Sequence, residues 1–248
     1  MKAPNNFIFV SSLNARLYRH RDNTFTRYVP QSFLNNKCIL YHENSFDQSN
    51  NNESIDLDEM KDLINLELID LFEDSPWLES FLKESPFKDC YKSHNYYMNS
   101  SPFWFRKVVA ISRAIEKLEI GDVMVWADCD SYVTQEFTDD FYEYQKKHDW
   151  LVILRSNDWI ESGFQFININ ETTKEFGKFY LNYFLSGEVF DKEPEWADNW
   201  VLEACFKNFN KEMRVGGLNS SFGCPINIMD YISHAKEPLK EVRFKFKI

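Results

Sequence analysis

Two aspartates, Asp128 and Asp130, stand two positions apart just after the apolar run Val123-Met124-Val125-Trp126-Ala127. In an extended chain, residues i and i+2 point to the same side, so the two carboxylates repel each other unless a cation lies between or beside them. A hard divalent ion answers that need, because Mg²⁺ and Mn²⁺ favour carboxylate and phosphate oxygens. D-x-D strings also occur in solvated loops. What gives this one weight is its context, a buried strand that follows a helix. In open α/β sheets, ligands bind beyond the carboxyl ends of the strands, which is where this pair falls.

The elements that must hold such a pair can be read from apolar periodicity. Phe7-Ile8-Phe9-Val10 reads as a buried first strand and Cys38-Ile39-Leu40-Tyr41 as a second, with room for a helix between Asn14 and Asn36. The Asn/Ser-rich stretch from Phe46 to Ser54 reads as a surface loop, and Asp58 to Phe72 as a helix. Ser100-Ser101-Pro102 has the form of a helix start, followed by a stripe of Trp104, Val108, Ile111, Ile115 and Leu118 that Gly121 ends. After the strand before the acid pair, the spacing predicts a helix over Phe141–His148. Strands follow at Leu151–Leu154 and Phe164–Ile169, helices over Thr172–Leu185 and Trp196–Phe209, and a last strand at Asn227–Tyr231. Strands alternating with helices imply an α/β fold, a mainly parallel central sheet with helices on both faces. No repeat or linker divides the chain, so 1–248 reads as a single domain.

Composition narrows the function classes. The chain has 28 basic and 39 acidic residues among 248, a net charge of −11. That argues against nucleic acid as a partner, since a phosphate backbone calls for a cationic face. No apolar run is long enough to cross a bilayer, and the N-terminus lacks the pattern of a signal peptide. Cys38, Cys90, Cys129, Cys205 and Cys224 are odd in number and never in C-x-x-C spacing. This fits reduced thiols and a cytoplasmic location better than disulfides or zinc. His20, His42, His94 and His148 show no ligand spacing. The tail Val242-Arg243-Phe244-Lys245-Phe246-Lys247-Ile248 alternates apolar and basic residues. It suits an edge strand guarded by lysines, or peripheral contact with an anionic membrane.

The run Asp122 to Phe137 resembles the metal-binding motif of GT-A-fold, Rossmann-like glycosyltransferases that use nucleotide sugars, and is nearest in pattern to the retaining galactosyltransferase-like groups. Other segments agree in order. Phe103-Trp104-Phe105-Arg106-Lys107-Val108 is similar to the basic helix before that strand, and Glu161-Ser162-Gly163-Phe164 through Asn170 to the strand after it. Asp198-Asn199 resembles the acceptor-side D-Q motif, and Ser233-His234-Ala235-Lys236 the late metal-ligand segment. Glu161 stands where Asn is frequent, Asn199 where Gln is frequent, and no Gly follows the C-terminal His.

The resemblance implies transfer of a sugar from a nucleotide diphosphate sugar, most simply a UDP-sugar, to a hydroxyl of a glycan, protein or small molecule, with Mn²⁺ or Mg²⁺. Residues 1–125 would mainly bind the nucleotide and 126–248 mainly the acceptor. Asp130 would ligate the metal directly, and Asp128 would contact the donor or the metal through water. His234 would be a third ligand and Lys236 a phosphate partner. Arg106 or Lys107 would reach the first aspartate or the donor phosphates, and Ser11, Ser12 and Asn14 would meet the base or ribose. Gly163 would let a sugar approach the backbone. Asp198 or Glu161 would serve as base or as stabiliser, and Trp159, Trp196 and Trp200 as a platform for a sugar ring. A nucleotide-sugar-forming nucleotidyltransferase would carry a Gly-rich phosphate loop after the first strand, and Ser11–Arg16 holds no Gly. A carbohydrate-binding protein that kept the fold and lost activity is the other alternative.

Overall fold

Seven strands form one sheet in the order β3-β2-β1-β4-β7-β6-β8. They are β1 (Phe7–Leu13), β2 (Lys37–His42), β3 (Leu66–Asp70), β4 (Val123–Ala127), β6 (Trp150–Leu154), β7 (Ile160–Asn168) and β8 (Val215–Gly217). A second, two-stranded sheet pairs β5 (Ser131–Val133) with β9 (Ile232–His234). The computed structural model describes residues 6–20, 36–52, 54–61, 65–90, 95–154 and 159–234. Strands β3, β2, β1 and β4 run parallel. Strand β7 is antiparallel to both its neighbours, and β6 and β8 are parallel to each other. The sheet is therefore mainly parallel, with one reversed strand. That reversal brings the start of β7 alongside the end of β4, at the edge where the acid pair emerges.

Strand β4, at the centre of the sheet, is apolar throughout because helices cover both faces. All five residues of β4 are buried. Met124 and Trp126 face one core, with Val108, Ile111 and Ile115 of α7 (Tyr96–Lys117) and Phe176 and Tyr180 of α9 (Glu171–Leu185). Val123, Val125 and Ala127 face the other, with Phe141 of α8 (Asp139–Gln145). Phe141, Phe164 and Phe166 are wholly buried there, and each contributes roughly 2–3 kcal/mol of burial. Helix α9 begins with a capping box between Asn170 and Thr173. It crosses α7 at Gly177, where an added Cβ would stand 3.2 Å from Ile115 Cγ2.

The shorter helices are α1 (Ala15–His20), α2 (Asn44–Asn51), α3 (Asp58–Lys61), α4 (Leu71–Asp74), α5 (Leu78–Glu84), α6 (Phe87–Cys90), α10 (Glu188–Lys192) and α11 (Asp198–Asn208). Several depart from the sequence expectations. The Asn/Ser-rich stretch is helix α2, held by the stacking of Phe46 on Phe72 and by Asp47 Oδ2 accepting from the Ala15 N–H. The segment expected as one helix from Asp58 to Phe72 is α3, strand β3 and the start of α4. Pairing with β2 overrides a helical spacing that Leu-Glu-Leu-Ile-Asp also satisfies. Helix α7 starts six residues before Pro102, which lies inside it. Residues Ile228–Asp230 form a 3-10 turn where a last strand was expected. Lys236 and the basic tail lie outside the described residues. No helix among the described residues is long and apolar enough to cross a membrane.

Candidate active site

The acid pair sits on a turn, not on an extended chain. Past Ala127 the Ser131 N–H donates to the Asp128 carbonyl, which folds 128–131 into a tight turn. Cys129 is buried beneath it, while Asp128 and Asp130 are both half-buried. The turn, not strand alternation, brings the two carboxylates close enough for Asp130 to raise the Asp128 carboxyl. The Asp128 N–H donates to the Gly163 carbonyl, which fixes the turn to β7. Gly163 is a buried mid-strand residue, and its backbone oxygen is the group that acts here.

Asp128 is held from below. Its Oδ1 accepts from Trp126 Nε1 at 2.9 Å and lies 2.8 Å from Lys107 Nζ. Both contacts fall on Oδ1, and the side chain remains 35% exposed. Lys107 extends from the middle of α7 with a side chain only 10% exposed. Its ammonium is also 2.7 Å from Asp198 Oδ2 and 3.2 Å from Ser162 Oγ. Ser162 donates its hydroxyl to Asp198 Oδ2 at 2.6 Å. Asp198, at the first turn of α11, accepts on its backbone carbonyl from the Tyr180 hydroxyl. Four elements, α7, β4, β7 and α11, therefore converge on one ammonium.

The charges explain the titration. Burial drives the Asp128 carboxyl up to about 6. Lys107 pulls it back down, while Asp130 and Asp198 push it further up. Burial disfavours the Lys107 ammonium, yet Asp128 and Asp198 outweigh burial and hold it well above its ordinary range. Asp128, Asp130 and Asp198 bring three negative charges to the one positive charge of Lys107. Oxygen donors with excess negative charge fit Mg²⁺ or Mn²⁺. No cluster of three or more His, Cys, Asp or Glu able to hold a metal forms among the described residues. The backbone of His234 pairs directly with Ser131, one residue beyond Asp130, while its side chain lies outside the described residues.

The other sequence candidates are placed as follows. Arg106 turns away from the acid pair. It is buried against Glu43, 2.5 Å from Oε2, with its guanidinium 4.4 Å from the centre of the Phe103 ring. Burial raises the Glu43 carboxyl to about 7, although Arg106 opposes the shift. Ser11 is buried near the end of β1, and Ser12 is half-buried beside it. Asn14 caps α1, its Oδ1 accepting from the Leu17 N–H. Glu161 precedes Ser162 on β7 and is half-buried, at the point where the pairing with β6 shifts register. Trp196 packs on Phe87 and Phe190 as a core residue, whereas Trp159 and Trp200 meet edge to face near the surface.

Three residues make these contacts without a clear local signal in the sequence. Trp126 was read as core, although its i, i+2 relation to Asp128 was a usable signal. Ser162 was quoted only as part of a motif. Glu43, the partner of Arg106, lies 63 residues from it in the chain and carried no local signal.

No protein-family model matches the chain, and no characterised protein matches it at the level of sequence. Solved structures do match. The galactosyltransferase LgtC, in complex with donor and acceptor sugar analogs, superposes with a TM-score of 0.50 at 10% identity, over 80% of this chain and 70% of its own. Mouse xyloside xylosyltransferase 1 aligns over 79% of each chain at 11% identity, with a TM-score of 0.46. A glycosyltransferase involved in the glycosylation of the major capsid of PBCV-1 covers 94% of this chain and 95% of its own, at 12% identity and a TM-score of 0.43. At such identities the likeness is one of fold. The chain has the GT-A architecture of glycosyltransferases.

Proposed function

We propose that the chain is a metal-dependent glycosyltransferase that moves a sugar from a nucleotide diphosphate sugar, most simply a UDP-sugar, to an acceptor hydroxyl. The observation that carries this reading is the Asp128–Lys107–Asp198 constellation beside Asp130, at the carboxyl edge of β4, in a GT-A fold. Asp130 and the outer oxygen of Asp128 would hold Mn²⁺ or Mg²⁺, with His234 as a further ligand. A dication bound there neutralises charge that builds on the departing diphosphate.

The chain's own groups do the rest. Trp126 and Lys107 fix the orientation of Asp128 through Oδ1 and leave the outer oxygen turned toward the ligand. Asp198 and Ser162 position the Lys107 ammonium, whose charge offsets the Asp128 and Asp198 carboxylates. Asp198 is the carboxylate joined to this centre, so it takes the stabilising role ahead of Glu161. Ser11, Ser12 and Asn14 border the nucleotide side, and Lys236 is a phosphate partner from the C-terminal segment.

A thermal-shift panel of UDP-, GDP- and CMP-sugars, with and without Mn²⁺, tests the reading. Ligands that bind only the folded state raise its stability by mass action. One nucleotide series should stabilise the chain only with metal, and Asp130→Ala should remove that gain. Equal stabilisation of the Asp130→Ala chain would overturn the metal assignment.

A further inference from the structure

Among the described residues, Trp159 is the large aromatic that the fold leaves most open, at 46% exposure. It precedes β7 directly and lies four positions before Gly163, roughly 13 Å along the strand from the point where β7 meets Asp128. Its ring is not loose. It meets Trp200 edge to face, with centroids 5.8 Å apart and planes at 83°. Trp200 is pinned in turn, its Nε1 donating to Glu193 Oε2 at 3.0 Å, while the Tyr183 hydroxyl donates to Glu193 Oε1 at 2.7 Å. Asn199, between Asp198 and Trp200, donates from Nδ2 to the Ile160 carbonyl and ties α11 to the base of the ring. Hydrogen bonds thus hold Trp200, which packs edge to face on the exposed Trp159 indole just ahead of β7, and β7 and α11 are the two elements that supply Ser162 and Asp198.

An exposed tryptophan invites a partner. Among the described residues, the other large exposed apolar side chains are Ile120, Leu185, Val215, Phe222 and Met229, and none belongs to β7 or α11. A lipid or protein surface would need a continuous apolar patch. A pyranose needs one flat ring for its C–H face and polar groups at the rim for its hydroxyls, and Asn199, bonded to the Ile160 carbonyl beside Trp159, is a polar neighbour of that kind. We infer that Trp159, braced by Trp200, is the stacking platform of an acceptor subsite for a saccharide ring, so that the acceptor is a glycan. This names the acceptor class and rests on the transferase reading above.

Wild type, Trp159→Ala and Trp159→Tyr are each screened for retention on an array of neutral oligosaccharides, with UDP and Mn²⁺ present. Unliganded melting temperatures are recorded alongside. The wild type should retain a defined set of glycans. Trp159→Ala should lose roughly tenfold in retention, as loss of one stacked ring produces, and Trp159→Tyr should recover most of it at an unchanged melting temperature. No glycan retained by the wild type, or equal retention by Trp159→Ala, overturns the platform. Retention that depends on Trp159, in a chain that no nucleotide sugar stabilises, would uphold the platform and remove the transferase.

Discussion

Arg106 and Lys107 are neighbours in one helix, yet their cations serve different carboxylates: Arg106 lies 2.5 Å from Glu43 Oε2, and Lys107 Nζ lies 2.7 Å from Asp198 Oδ2. Successive helix positions are turned about 100° from each other. The two side chains therefore leave α7 in different directions, one toward the end of β2 and one toward the end of β4 and the start of β7. The dipeptide is two separate devices, and each yields its own expectations.

Removing the Lys107 ammonium leaves Asp128 and Asp198 facing each other without their shared counter-charge. Breaking a buried ion pair from one side typically costs about 3–5 kcal/mol. Lys107→Met should lower the urea-derived unfolding free energy by an amount of that order. Lys107→Met combined with Asp198→Asn should recover much of it, because the uncompensated charge is gone. A double variant no more stable than Lys107→Met would show that the lysine acts through packing.

Trp126→Phe keeps the buried ring and deletes the Nε1 donor to Asp128. Groups that orient a metal ligand through such a bond change metal affinity about 10–100-fold when altered. Titration with Mn²⁺, followed by calorimetry or by the paramagnetic effect on water relaxation, should show weakening toward that range. Unchanged affinity would mean that Lys107 alone fixes the carboxylate.

Metal-dependent stabilisation by a nucleotide sugar should grow as pH rises from 5 to 7.5. Burial lifts Asp128 to about 6, so the carboxylate needed for coordination forms across that window. A thermal-shift series in constant-ionic-strength buffers measures the dependence. A flat profile would remove Asp128 from the ligand set.

Glu43 gives a pH dependence without any ligand. Its folded carboxyl titrates at about 7, raised by burial from an ordinary 4.5. The folded state then binds more protons than the unfolded chain between those values. The Glu43 contribution to stability is complete below about pH 4.5 and is lost as pH climbs through 7. The loss has an upper bound of about 3 kcal/mol. Urea midpoints of Glu43→Gln should fall less steeply between pH 5 and 7.5 than those of wild type. Parallel curves would assign the slope to other groups.

Much of the fold was legible locally. The run Val123–Ala127 could only be a strand buried on both faces, and the stripe from Trp104 to Leu118 only a helix with one apolar side. The errors fell where local signals are weak or ambiguous. The Asn/Ser-rich stretch folds as α2 because Phe46 and Asp47 find partners in Phe72 and Ala15, which composition does not reveal. The five residues of β3 satisfy either period, and only their neighbour β2 decides between them.

By itself, the sequence determined the strand-and-helix alternation, the acid pair at the end of β4 and the negative overall charge. Each follows from residue types within a few positions of one another. The tertiary structure alone decided that Lys107, not Arg106, sits beneath that pair, and that Ser162, 55 residues on from Lys107, and Asp198, 36 residues on from Ser162, join it there. The physical reason is the reversal of β7. An antiparallel strand next to β4 lays its first residues across the outlet of a parallel sheet, and no local pattern records which strand will be the one to turn back.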